Sequence, residues 1–195
     1  YVLMIFETVG VQLSIAEKLI EASSPQAQQR LRFVMPTTWK TGTKRKYFAL
    51  FPEPYPIFQK LSRKWGQWAP NELHFDHEPL LEALRAEKIV VAGYKLRTVH
   101  WATKKPPSQG FIGTIAYEVQ GDEALQRIID LLCRFSFFAG VGNASGRGLG
   151  VVVRDALRPV WDKGFESERA GRLNRAQHQL KYVQRPTGLE PIGMR

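Results

Sequence analysis

The chain has 195 residues, 44% of them hydrophobic, which suffices for one core-forming domain with part of a second and excludes a disordered chain. Lys and Arg number 28 against 18 Asp and Glu, and the net charge of +10 favours a polyanionic partner, nucleic acid first. The single cysteine, Cys133, excludes an internal disulfide framework and fits a reducing cytoplasmic setting, while neither a membrane-length apolar run nor a signal-peptide pattern is visible, so no membrane partner is expected.

The chain opens on Tyr1 with "YVLMIFETVG", which reads as a strand over Tyr1–Thr8 already inside a fold. An amphipathic helix follows in "VQLSIAEKLIEASS", with Leu13, Ala16, Leu19 and Ile20 on one face, and "SSPQ" breaks it. Residues 1–30 are thus expected to be the end of a preceding domain. From Leu31, "LRFVMPTTW" is strand-like and runs into a basic turn, "KTGTKRKY". In "YPIFQKLSRKWGQWAP", Ile57, Phe58, Leu61, Trp65 and Trp68 form one stripe at helical spacing, which makes the tryptophans core residues rather than stacking platforms.

"NELHFDHEPLLEAL" reads as a loop entering a helix, with Asp76 as its cap. Two strands follow, "IVVAGYKLRTVHWAT" and "GFIGTIAYEVQG", joined by the basic hairpin tip "KKPPSQ". "DEALQRIIDLLCRFSFFAG" is a strong helix that starts at Asp122 and Glu123, closes at Gly140, and turns Leu125, Ile128, Ile129 and Leu132 to one face. Cys133 lies inside that apolar pattern, where packing accounts for it. After a glycine-rich loop, "LGVVVRDAL" reads as a buried strand. Residues 31–153 therefore run β-α-β-β-α-β, the ferredoxin-like order: an α+β domain with an antiparallel four-stranded sheet covered on one face by two helices. Residues 154–195 are rich in Arg, Gly and Pro and read as a basic tail or linker.

The histidines give little chemistry. His74 and His77 stand near Asp76 and Glu78, but no Cys-x-x-Cys or His-Glu-x-x-His spacing supports a metal site, and none is expected. His100 ends a strand close to Lys104 and Lys105, where a general acid or base for RNA cleavage would be at home; a partly exposed strand-end histidine is the plainer reading. No nucleophile elbow is present.

The loop is more informative, with five glycines among the eleven residues from Gly140 to Gly150. It is not a Walker loop, since no lysine follows a glycine, and not a dinucleotide fingerprint, since Ser145 breaks that spacing and the helix precedes the loop instead of following it. Lys40, Lys44, Arg45 and Lys46 in one turn, Lys104 and Lys105 in another, and Arg147 within the loop would make a phosphate-tracking surface if the fold gathers them.

Gly140-Val141-Gly142, five residues "NASGR", then Gly148-Leu149-Gly150 is a pattern of glycine, apolar, glycine on either side of a basic insert. It resembles the glycine-rich loop of the repeat-associated RNA-binding proteins of CRISPR systems. With "FVMPTTWK", "LFPEPYPIFQKLSRKWGQWAP", "AGYKLRT", "GFIGTIAYEV" and "LLCRFSFFAGVGNASGRGLG" in order, residues 31–153 look like the C-terminal domain of the CRISPR-associated endoribonuclease that processes precursor CRISPR RNA. The resemblance implies tandem ferredoxin-like domains that bind one CRISPR repeat and cut it without metal or other cofactor. A ribose 2′-hydroxyl attacks the adjacent phosphate, leaving a 2′,3′-cyclic phosphate and a 5′-hydroxyl. The base of that family, commonly a histidine early in the N-terminal domain, has no counterpart here, so the catalytic residues of this chain are unknown. The glycine-loop role carries over onto Gly140, Gly142, Gly148, Gly150 and Arg147, where bare backbone lets phosphates approach, and Asn143, Ser145 and Gly146 between them are expected to share the RNA site. Two alternatives stand beside processing: a domain fused to, or associated with, a reverse transcriptase and an integrase that acquires spacers, and a non-catalytic RNA-binding subunit of a CRISPR effector complex.

Overall fold

The computed structural model describes residues 2–41, 47–101, 108–143 and 145–155. Its first element is a helix, α1 (Val2–Glu21), where the opening apolar run suggests a strand over Tyr1–Thr8. A short apolar run has no period of its own to separate the two states. The amphipathic turns that follow settle it, because extending a helix already nucleated adds one hydrogen bond per residue fixed, and the lone Gly10 costs only about 1 kcal/mol. Ala16 is fully buried in the common core, with Leu19 and Ile20 packed against it.

Then come β1 (Gln28–Thr37), a small ribbon of β2 (Trp39–Thr41) and β3 (Tyr47–Ala49), α2 (Pro54–Trp68) and α3 (Glu78–Arg85). A long hairpin, β4 (Ile89–Trp101) and β5 (Ser108–Val119), leads into α4 (Glu123–Ala139) and the short β6 (Val152–Arg154). The main sheet has the order β4-β5-β1-β6 with every pairing antiparallel. β1 and β4 are therefore parallel across β5, as the split βαβ order requires, with α2 in the crossover. No described helix is long and apolar enough to cross a membrane.

Alternation along β1 sets the two faces of the sheet. Gln29, Leu31 and Phe33 are buried, while Arg32 between them is exposed. From β5, Phe111, Ile115 and Tyr117 join the buried side, the Phe33 and Phe111 rings meeting edge to face at 4.9 Å. α2 answers with Ile57, Phe58, Leu61 and Trp65, all buried, and Trp68 packs partly exposed against them. Trp65 also donates its indole N–H to the Leu73 carbonyl at 3.1 Å. Tyr117 reaches through the core to donate its hydroxyl to the Pro52 carbonyl at 2.7 Å, which ties the entry of α2 to the sheet. α4 is capped as its ends suggest: Asp122 accepts from the Leu125 amide at 2.9 Å, and Gly140 ends the helix at φ +62°. Asp76 accepts from the Glu78 amide at 3.0 Å at the start of α3. The histidines beside it do packing work: His74 donates Nε2–H to the Ala69 carbonyl, and His77 Nδ1 lies 2.6 Å from the Ser62 hydroxyl.

Candidate nucleic-acid interface

The glycine loop is built from the end of α4 inward. α4 carries no basic residue in its last turn, so its exposed carbonyls need a donor from elsewhere. Lys64 of α2 supplies it, donating from Nζ to the carbonyls of Ala139 at 2.6 Å and Gly140 at 2.9 Å and to the Ser145 hydroxyl at 3.3 Å. The loop then crosses to the end of β1, where the Asn143 amide bonds the Thr38 carbonyl at 2.7 Å and the Gly150 amide bonds the Pro36 carbonyl at 3.1 Å. Its two ends are tied by the Val141 amide on the Gly150 carbonyl at 2.8 Å.

This path divides the five glycines into two kinds. A Cβ on Gly142 would stand 2.6 Å from the Thr38 carbonyl oxygen, and one on Gly140 2.8 Å from the Ser145 Cβ. One on Gly150 would run into the Val141 carbonyl, and all three backbones have positive φ. Those three glycines are needed by the fold itself. Gly146 and Gly148 are exposed, and a Cβ on either meets nothing within 4 Å. They sit at the tip, a single 3₁₀ turn over Ser145–Arg147 closed by the Gly148 amide on the Ser145 carbonyl. The backbone offered to a ligand is thus that of the tip around Gly146, because the amides of Gly140, Val141, Asn143, Gly148 and Gly150 are already bonded within the protein.

Beside the loop lies a cleft of about 210 Å³ between α2 and residues Gly140–Gly142. Its α2 wall carries Lys60, Arg63, Lys64 and Gln67. Lys60 Nζ also lies over the Trp39 ring, 5.5 Å from its centre. Burial, and after it the neighbouring Lys60 ammonium, hold the Lys64 amine below the usual lysine value. None of these side chains stands out as a motif, yet positions 60, 63, 64 and 67 are the polar complement of the Ile57–Leu61–Trp65 stripe, and that spacing is the signal that finds them.

The other expected site residues divide by position. Lys40 lies in β2, paired with Phe48. Lys44, Arg45, Lys46, Lys104 and Lys105 fall outside the described residues, and Arg147 is placed by its backbone in the tip turn. The strand ends that lead to the basic turns do share one end of the sheet: Thr37 of β1 and Thr98 of β4 both pair with Phe111, and the Trp39 ring meets Phe111 at 5.9 Å. His100 is exposed at that same end, opposite Gln109, on the edge strand two places from β1.

Comparison with known proteins points to one family. The model of the family CRISPR-associated endoribonuclease Cas6 matches residues 31–152. The Cas6 endoribonuclease of Streptococcus thermophilus is 27% identical over 149 residues, covering 75% of this chain and 59% of that protein. That of Mycobacterium tuberculosis is 24% identical over 147 residues, covering 75% and 45%. The chain spans about half the length of the curated relatives it matches. Among solved structures, Cas6 of Thermus thermophilus superposes with a TM-score of 0.61 at 26% identity, over 72% of this chain and 57% of that one. A Cas6 product complex superposes with a TM-score of 0.62 at 25% identity, over 72% and 56%.

Proposed function

The chain belongs to the CRISPR-associated endoribonuclease Cas6 family, and we propose that it serves that family's processing of CRISPR repeat RNA as the RNA-holding half. Residues 31–153 are the body of the C-terminal ferredoxin-like domain in this reading, residues 1–30 lead into it from a preceding domain through α1 and the start of β1, and the residues after β6 form a basic tail. The observation that carries the proposal is the glycine-loop tip, exposed beside the Lys60–Arg63–Lys64 wall at the end of α4. Phosphates approach the bare backbone of Gly146, with the open space at Gly148 giving them room, while the ammonium and guanidinium groups balance their charge. Lys40, the turn at Lys44–Lys46, Lys104, Lys105 and Arg147 extend the track.

The chemistry held in place is transfer within the RNA. The 2′-oxygen bonds to the adjacent phosphorus, the bond to the 5′-oxygen breaks, the 2′-proton passes to a base, and the leaving oxygen takes up a proton. Because the nucleophile belongs to the substrate, no metal need activate a water. His100 is not assigned as the base; it acts as an exposed strand-end residue.

Two measurements test this reading. Residues 1–195 bind repeat RNA in a salt-dependent filter titration, and they do not cut it in a single-turnover reaction containing EDTA. Absence of binding, or cleavage by this chain that His100→Ala abolishes, overturns it.

A further inference from the structure

Phe137 and Phe138 close α4 in full view of solvent, 55% and 53% exposed, although Phe135 one turn away is buried. Their rings meet edge to face, with centroids 5.3 Å apart. Leaving two phenylalanines out of the core forgoes much of their burial energy, and nothing in helix formation asks for them there. The next residue, Ala139, has its carbonyl bonded to Lys64 Nζ at 2.6 Å, so the helix end that carries the rings is tied to the basic face of α2. The segments that form α2, the end of α4 and the glycine loop carry charge of one sign. No Asp or Glu occurs from Pro54 to Asn71 or from Leu131 to Arg154, and the nearest acid on the helix, Asp130, is buried between Arg134 and Arg154.

Exposed aromatic rings on a helix end held by a cationic helix face suit one class of ligand, a single strand of nucleic acid. Its bases need flat apolar faces and its backbone needs positive charge, at a spacing of about one nucleotide. An apolar protein partner accounts for the rings and leaves the one-sided positive charge of these segments unbalanced. We propose that Phe137 and Phe138 are a stacking platform for unpaired bases of the bound RNA, whose flanking phosphates lie along the α2 wall and the loop tip. This rests on the RNA-binding reading above and adds to it which part of the RNA meets α4: an unpaired segment, bases toward the rings.

The test compares two probes on the full chain: a short single-stranded RNA carrying 2-aminopurine, and an abasic strand of the same length. Phe137→Leu with Phe138→Leu keeps apolar volume and helix propensity and removes the aromatic faces. It is expected to weaken the base-bearing probe at least about tenfold and to abolish the quenching of 2-aminopurine on binding. Affinity for the abasic strand should change less than about twofold, and Phe137→Trp with Phe138→Trp should retain both affinity and quenching. Equal losses on the two probes, or none, overturn the platform while leaving RNA binding in place. Failure of the unaltered chain to bind either probe overturns the RNA reading and the platform with it. A leucine variant that binds RNA normally but loses self-association would assign the rings to a protein contact, which also overturns the proposal.

Discussion

Val141 gives its amide to the Gly150 carbonyl at 2.8 Å, and its own carbonyl oxygen occupies the place a side chain on Gly150 would need. The base of the loop is a clasp in which one residue must be glycine twice over, for space and for its φ of +66°. Gly150→Ala combines a strained backbone with a collision against main chain that cannot yield without opening the clasp. A loss of about 3 kcal/mol is expected in urea unfolding. Gly146→Ala, with open space and no positive φ, should stay within about 0.5 kcal/mol. Equal effects at the two positions would show that the loop does not follow this path.

At the tip the same distinction yields a binding test free of folding artefacts. Gly146→Asp places a carboxylate on the exposed turn without strain, whereas Gly148→Asp must also adopt φ +81°. Repeat-RNA affinity should fall more than about tenfold in Gly146→Asp, at least about 1.4 kcal/mol, with the urea midpoint unchanged. Normal affinity in a folded variant would move the RNA away from the tip.

Much of this fold could be read ahead because its signals are local. Asp122 and Gly140 mark the ends of α4 by cap chemistry, and the Ile57–Trp65 stripe marks the buried face of α2, so the ferredoxin-like order follows from short windows. The opening run reads as a strand although it is helix, because an apolar run of that length has no period and only the helix after it decides. The glycines show the other limit. Nothing local says that Gly142 faces the Thr38 carbonyl, a contact between distant parts of the chain, so packing glycines and ligand glycines look alike. Lys60, Arg63 and Lys64 are silent in the sequence for a related reason. Charges on the polar face of a helix are ordinarily solvated, and only the seating of α2 against the end of α4 turns them into a cleft wall.

Asp130 shows how a carboxylate inside the core is held. It is fully buried, pairs with Arg134 at 2.9 Å and Arg154 at 2.7 Å, and accepts from the Ser24 amide at 3.0 Å. One side chain thereby joins the connection after α1, α4 itself and the edge strand β6. Asp130→Ala leaves two arginines facing each other and is expected to cost about 3 kcal/mol, the range for breaking a buried pair. Arg134→Ala, which removes one of two cations from a half-buried position, should cost about 1 kcal/mol. A double-mutant cycle on urea unfolding checks the coupling between Asp130 and Arg154, and additive losses would reduce this network to separate contacts.

Lys64 should make stability and RNA affinity respond to pH with opposite signs. Burial first and Lys60 second lower its folded value below 10.5, the value in the unfolded chain. Between the lowered value and 10.5 the unfolded chain binds more protons than the folded one, so stability rises with pH across that window. The neutral amine can still donate to Ala139 and Gly140, so losing the proton does not break the cap on α4. A bound phosphate acts in the other direction, since it favours the ammonium and raises the value again. RNA binding in that window therefore takes up a proton, and affinity falls as pH rises. The slope of log affinity against log salt should shrink by about 0.7 once this one cation is gone. A 2′-deoxy repeat analogue, which resists alkaline cleavage, lets the titration run to the lysine range. Lys64→Met should remove the early part of both pH profiles, at the lower edge of that window where lysines of ordinary value still hold their protons; an early fall in affinity that is unchanged in this variant would remove Lys64 from the phosphate track.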